Sequence, residues 1–271
     1  MTDTPEAELT PLDQAHAAME AAPEDDAARL RFYERLADNE LFLMLTEEAK
    51  PETVSPHIFD LGEGEQVALV FDREERLSAF SPVPVPYVAL SGRVIAAALA
   101  GQGIGLGVNL GVAPSSILLP PEALGWLSET LGHAPDEMEA RIAEVHAPGK
   151  LPEVLLQGLD VKLAMAAGLA VSAVLAEVVY DSGARGHMLG FIDVKDGAEA
   201  PLAKAAGEAL AFSGIDAGWM DVGFFAAESS VGAALLRRGL KVDLPEPEVQ
   251  SPARVERIAP GSDPDKPPIL R

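Results

Sequence analysis

The chain has 271 residues, an apolar fraction of 48% and a formal net charge of −23, which indicate a globular protein with room for one or two hydrophobic cores. A charge this negative repels phosphate backbones and anionic lipid headgroups, so it argues against nucleic acid and membrane surfaces as partners. The sequence has no cysteine, which excludes disulfides, thiol nucleophiles and thiolate metal ligands.

The sequence predicts a cytoplasmic protein. Its amino terminus, Met1-Thr2-Asp3, lacks the basic and apolar regions of a signal peptide. The uncharged stretch from Leu163 to Ala176 is too short to cross a bilayer. The longer uncharged stretch from Val94 to Pro121 contains glycines and prolines that break any continuous helix.

Two helices are predicted near the start of the chain. Thr10-Pro11-Leu12-Asp13 combines a capping hydroxyl, a first-turn proline and a carboxylate that complements the helix dipole. A second helix begins at Glu24-Asp25-Asp26 and leads into a strand at 40–46. The segment 56–61 alternates toward a glycine turn and returns as the next strand, which predicts a hairpin.

The segment 66–111 has the most regular sequence pattern in the chain. This pattern predicts a strand, a helix, a strand, a helix and a strand in close succession. Its first strand, 66–72, is a short apolar run with β-branched members, as expected of a buried strand. Helices are predicted at 73–80 and 93–100, and the other strands at 86–90 and 104–110. A further helix begins at Pro120-Pro121-Glu122 and ends near Gly132.

Two segments in this block, Phe71–Phe80 (FDREERLSAF) and Gly107–Gly111 (GVNLG), resemble the SseB family of bacterial proteins. The family is named for an enhanced-serine-sensitivity phenotype and not for a reaction. The resemblance covers roughly residues 28 to 244 and implies an amino-terminal α/β domain followed by a separate carboxy-terminal domain. We therefore predict a mixed α/β sheet domain at 1–134 and a second domain at 137–244.

The second domain is predicted as a ferredoxin-like βαββαβ sandwich with an extra α-β unit. The segment 139–147 fits a helix or a strand by spacing, and the family resemblance favours a strand. The following elements are a helix at 152–166, strands at 169–180 and 186–194, a helix at 199–212, a strand at 218–225, a helix at 229–238 and a strand at 240–243. Residues 245–271 are rich in proline and poor in apolar side chains, so we predict a disordered tail.

Glycines alternate along the strand at 104–110 and leave one of its faces without side chains. Interior strand glycines cost roughly 0.5–1 kcal/mol each. A compensating contact is therefore expected, either a closely packed helix or a ligand that approaches the backbone. The run is not a dinucleotide fingerprint, because Leu110 stands where the third glycine belongs.

We predict a ligand or partner site at the carboxyl end of this central strand, where open α/β sheets tend to bind ligands. Its candidate residues are Gly105, Gly107, Asn109 and Gly111. An alternative role for Asn109 is to close a turn through its own side chain.

Other polar groups have simpler interpretations than catalysis. The acidic residues Asp72, Glu74 and Glu75 could act as an acid and base, but carboxylates at a helix start are explained by the helix dipole. The five histidines show no metal-binding spacing, and they are residues 16, 57, 133, 146 and 187. We predict neither a metal nor a cofactor.

Three functional hypotheses remain. The first is a non-catalytic interaction or accessory module with a protein partner whose surface is basic. The second is a regulator that binds a small, amino-acid-related molecule at the Asn109 end of the sheet. The third is a hydrolase or transferase that uses His57 or His187 with a carboxylate.

Overall fold

The computed structural model describes residues 9–50, 53–62, 64–133, 141–215, 219–242 and 244. In residues 9–133, the amino-terminal half, the elements are α1 (Pro11–Ala21), α2 (Asp26–Asp38), β1 (Glu40–Met44), β2 (Ile58–Gly62), β3 (Glu65–Phe71), α3 (Glu74–Phe80), β4 (Tyr87–Ser91), α4 (Gly92–Leu99), β5 (Ile104–Val108), β6 (Ile117–Leu119) and α5 (Pro121–Gly132). In residues 141–244, the carboxy-terminal half, they are β7 (Ile142–His146), α6 (Glu153–Ala164), β8 (Ser172–Tyr180), β9 (Arg185–Ile192), α7 (Glu199–Phe212), β10 (Met220–Phe225), α8 (Ser230–Arg238) and β11 (Leu240–Val242).

Strand β3 is the centre of the amino-terminal sheet, whose order is β4-β1-β3-β5-β6. It pairs in parallel with β5, and its other edge pairs antiparallel with β1 near one end and β2 near the other. The hairpin predicted between β2 and β3 is confirmed. Five consecutive β3 residues, Val67–Phe71, are buried, as the apolar run predicts for a central strand.

Each face of this sheet buries a separate hydrophobic cluster. On the inner face, Leu41, Ala68 and Leu106 pack against α1, α2, α4 and α5. On the outer face, Met44 and Leu69 pack against the short helix α3 and the loop that follows it. The outer face therefore has much less helical cover than the inner face.

The carboxy-terminal half confirms the predicted order of elements but not the ferredoxin-like arrangement of strands. The sheet order is β10-β9-β8-β11, and β7 pairs with the other end of the same β8 edge. In a ferredoxin-like sandwich a third strand separates the strands of each βαβ unit, whereas β9 and β10 here are direct parallel neighbours. The predicted mixed α/β class is confirmed, but the strand arrangement differs from the ferredoxin-like one, because element order does not specify which strands pair.

The two halves share hydrophobic packing where α7 meets α2 and α5. Phe212, the last residue of α7, is 2% exposed and belongs to the inner-face cluster of the amino-terminal half. Trp126 of α5 packs edge-on against both Tyr33 and Phe212. The predicted tail, 245–271, lies outside the described residues. Within the described part of the chain, no helix is both long and apolar enough to span a membrane.

Candidate functional site

The structure places Gly105 and Gly107 on the outer face of β5, paired with Val67 and Leu69 of β3. A Cβ atom on Gly105 would lie 2.6 Å from the carbonyl oxygen of Leu119, and one on Gly107 would lie 2.6 Å from Leu69 Cδ2 and 2.7 Å from Leu110 Cδ1. A neighbouring strand and two leucine side chains thus approach the bare backbone closely. None of these nearest atoms belongs to a helix of the described structure.

Asn109 is fully buried and has a left-handed φ of 47°. Its Oδ1 accepts a hydrogen bond of 3.1 Å from the backbone N–H of Asp72, and its Nδ2 donates one of 2.8 Å to Ser115 Oγ. Its side chain therefore connects the carboxyl ends of two parallel strands. Gly111, at φ 68°, has open space around its Cβ position, whereas Gly105 and Gly107 are closely approached by neighbouring atoms.

A buried ionic network lies beside Asn109 at this end of the sheet. Arg76 of α3 donates to Asp13 Oδ2 at 2.5 Å and to Asp72 Oδ1 at 2.8 Å. The Asp13 side chain is fully buried, and it also accepts hydrogen bonds from the Thr10 backbone and from Ser115. Thr10 Oγ1 donates to Asp72 at 2.6 Å, which links α1 to the end of β3.

Hydrogen bonding decides the charge state of Asp13. Burial by itself raises the pKa of this carboxyl, but the hydrogen bonds from Arg76, Ser115 and Thr10 outweigh burial and hold the pKa well below its usual value. The sequence indicates Thr10 and Asp13 as a helix start, and the capping box is present. It does not reveal the contact of Asp13 with Arg76, although the four-residue spacing of Asp72 and Arg76 at the start of α3 is a signal for the Asp72–Arg76 pair.

The outer face of the amino-terminal sheet carries several partly exposed apolar side chains. Phe42 and Phe59 are half-buried, Tyr87 contacts Phe42 edge-on at 5.6 Å between ring centroids, and Leu118 is 50% exposed. Leu118 pairs with Gly107, so it points to the same side as Leu69. We call this set, Phe42, Phe59, Tyr87 and Leu118, the outer apolar patch.

The comparisons with known proteins identify the amino-terminal half. Residues 12–126 match the model of the SseB protein N-terminal domain. Residues 12–126 therefore form a domain of the SseB N-terminal family. No curated protein and no solved structure matches the chain.

The SseB N-terminal domain contains the complete outer apolar patch, together with the Asp13, Asp72, Arg76, Asn109 and Ser115 side chains of the buried network. The predicted second SseB-like domain, 137–244, lies beyond the matched residues. Its assignment to the family therefore stays a prediction.

A second ionic cluster lies between the SseB N-terminal domain and the carboxy-terminal half. Lys162 Nζ of α6, whose side chain is 1% exposed, donates to Asp38 at 2.7 Å and to Glu208 at 2.9 Å. Arg93 of α4 pairs with the same two carboxylates, at 2.5 Å and 3.1 Å. Burial raises the pKa of Glu208, but Arg93 and Lys162 outweigh it and lower the pKa overall. No sequence pattern predicted this cluster.

The histidines of the catalytic hypothesis lie in different halves of the protein, His57 just before β2 and His187 in β9. His57 stacks on Phe59 with ring centroids 4.2 Å apart, and His187 stacks on Trp219 at 3.9 Å. Among the described residues, neither imidazole forms a hydrogen bond with a carboxylate, and no three histidine, aspartate or glutamate side chains are arranged to hold a metal.

Proposed function

We propose that this SseB protein is an interaction module that docks a basic segment of another protein onto the outer apolar patch. The observation that carries the proposal is the partial exposure of Phe42, Phe59, Tyr87 and Leu118 on one sheet face. Aromatic side chains of this kind are enriched at the centres of protein interfaces, where they supply much of the binding energy.

Carboxylates surround the patch and favour a basic partner. The strand alternation places Glu40 beside Phe42, and Glu65 beside Val67, on the outer side of the sheet. Glu74 accepts a hydrogen bond of 2.8 Å from the Tyr87 hydroxyl. Residues 1–75 as a whole contain 20 acidic and 5 basic groups, a net charge of −15. Such a field accelerates and orients the approach of a positively charged surface.

Charge reversal at the rim tests this proposal. A Glu40→Lys/Glu65→Lys variant changes the patch, whereas Glu122→Lys/Glu129→Lys makes the same charge change on α5, which covers the opposite face. Each variant would be immobilised and incubated with a cell lysate. The proteins that stay bound after washes of increasing salt concentration would be quantified by mass spectrometry. We expect basic proteins to be retained by the unmodified chain and by the α5 variant, to be lost from the rim variant, and to dissociate as salt rises.

Equal retention by both variants, or binding that salt does not weaken, would contradict a charge-assisted site at this face. If the site is confirmed, the protein acts in the cytoplasm as an accessory factor that positions its partner. The proposal assigns no reaction to the SseB domain and no partner among nucleic acids or membranes.

A second candidate function, a regulator that binds a small amino-acid-related molecule, is favoured by a cavity between the two halves. This cavity contains a buried carboxylate with an unsatisfied oxygen, Glu34 Oε1. It lies away from the originally predicted residues Gly105, Gly107, Asn109 and Gly111. Their role as a ligand site stays a prediction.

A further inference from the structure

Glu34 is a buried carboxylate with an incomplete set of hydrogen bonds. Its side chain is 5% exposed, and its Oε1 forms no hydrogen bond with any described residue. The nearest ammonium, Lys162 Nζ, is 3.6 Å away and already donates to Asp38 and Glu208. Buried polar atoms nearly always form a hydrogen bond, so a buried carboxylate oxygen without one points to a donor from outside the chain.

This carboxylate lines a cavity of about 120 Å³ between α2, α6 and the end of α7. The cavity wall combines apolar groups with polar ones, namely Arg31, Glu34, Arg35, Gln157, Val161 and Phe212. One water occupies about 30 Å³ of liquid, so the cavity has room for roughly four waters or for one small molecule of similar size.

The charges around the cavity favour a ligand that carries both signs. Arg31 donates to Gln157 at 3.2 Å, and Arg35 forms no ion pair within the described part of the chain. A simple cation would be attracted by Glu34 but would face Arg31, Arg35 and Lys162. A simple anion would be attracted by the two arginines but would face Glu34, with Asp38 and Glu208 behind it.

We propose that this cavity binds a small zwitterion of the amino-acid type, with its ammonium on Glu34 and its carboxylate on Arg35, since Arg31 already donates to Gln157. The ammonium supplies the hydrogen bond that Oε1 lacks, and the carboxylate matches the planar donors of a guanidinium. This inference deepens the second candidate function. It does not depend on the outer apolar patch, because α2 packs on the inner face of the sheet.

Calorimetric titration of the full chain with three small probes tests the charge requirement. The three probes are similar in size and differ in charge. Glycine carries both a positive and a negative charge, propylamine carries only the positive charge, and propionate carries only the negative charge. We expect saturable binding of glycine and affinities about tenfold or more weaker for the other two, since each lacks one charge-assisted contact. Binding of propylamine or propionate as tight as that of glycine would overturn the zwitterion site, and so would no saturation by glycine up to about 10 mM.

Variants of α2 locate the binding. Glu34→Gln keeps the shape of the side chain and removes its charge, and Arg35→Gln removes the opposite charge at a half-buried position. Arg29→Gln is the matched control, because Arg29 lies on the exposed side of α2 and pairs with Asp26. We expect both cavity variants to bind glycine about tenfold or more weakly and the control to bind it normally. Circular dichroism checks that each variant is folded, and unchanged glycine affinity in folded Glu34→Gln or Arg35→Gln would refute the assignment.

Discussion

Single residues in this SseB domain are stabilised by contacts with residues that are distant in the sequence. Asp13 has the local role of a helix-capping residue, yet its carboxylate also holds Arg76, which lies 63 positions away. Asp72 pairs with the same guanidinium, from the end of β3. Asp13 and Asp72 share one buried cation, Arg76. The stability of this arrangement therefore depends strongly on the hydrogen bonds that Thr10 donates to Asp72 and Ser115 donates to Asp13.

The first prediction concerns Asp13→Asn. This variant should lower the free energy of unfolding by about 3 kcal/mol at neutral pH, because a buried charged pair loses one partner. The pKa of Asp13 is lower in the folded protein than in the unfolded chain, so its stabilisation is present above the unfolded pKa, about 3.9, and is lost as the pH falls. Urea denaturation at pH 7 and at about pH 3 should therefore show a smaller difference from the unmodified protein at the lower pH.

Asp26→Asn is a suitable control for this measurement, because Asp26 also lies in the first turn of a helix but is exposed. Its effect should remain within about 0.5 kcal/mol. An Asp13→Asn difference that is the same at both pH values would mean that packing, and not charge, makes Asp13 important.

At the scale of elements, two helical glycines, Gly92 and Gly125, differ in how closely another backbone approaches them. Gly92 begins α4, and a Cβ atom there would lie 1.8 Å from the carbonyl oxygen of Leu36 in α2. Gly125 lies within α5, and its Cβ position meets no atom within 4 Å. The first glycine therefore permits close helix packing, whereas the second has no packing role in its helix.

Alanine at these two positions should have opposite effects. Gly92→Ala forces α4 away from α2 and should destabilise the fold by at least about 2 kcal/mol. Gly125→Ala should stabilise it by about 0.5–1 kcal/mol, because alanine loses less entropy in a helix. Chemical denaturation of both variants measures the two changes. Stabilisation by Gly92→Ala would show that α2 and α4 can separate without cost.

At the scale of the whole molecule, the two sheets are connected by one mixed contact region. Its apolar part is Phe212 against Tyr33 and Trp126, and its ionic part is the cluster around Lys162. The ammonium of Lys162 lies 5.3 Å from the centre of the Phe212 ring, so the two parts touch. The halves should therefore stabilise each other.

Phe212→Ala should destabilise both halves, by about 3–5 kcal/mol in total, because it opens a cavity in a core to which both contribute. Hydrogen exchange followed by mass spectrometry should show faster exchange in β3 and β5 as well as in α7. Phe224→Ala is a control, since Phe224 is 36% exposed on β10. Faster exchange confined to residues 141–242 would contradict mutual stabilisation.

The sequence by itself determined most of the elements and the family. The cap at Thr10, the buried run of β3 and the helix α7 follow from short-range patterns, because capping and periodicity depend on neighbouring residues. Periodicity indicates which side of an element is buried, but not which element covers it. The direct pairing of β9 with β10, the Asp13–Arg76 contact and the Lys162 cluster were therefore decided only by the tertiary structure. Each joins groups that are far apart in the sequence, and their contact depends on how whole elements pack.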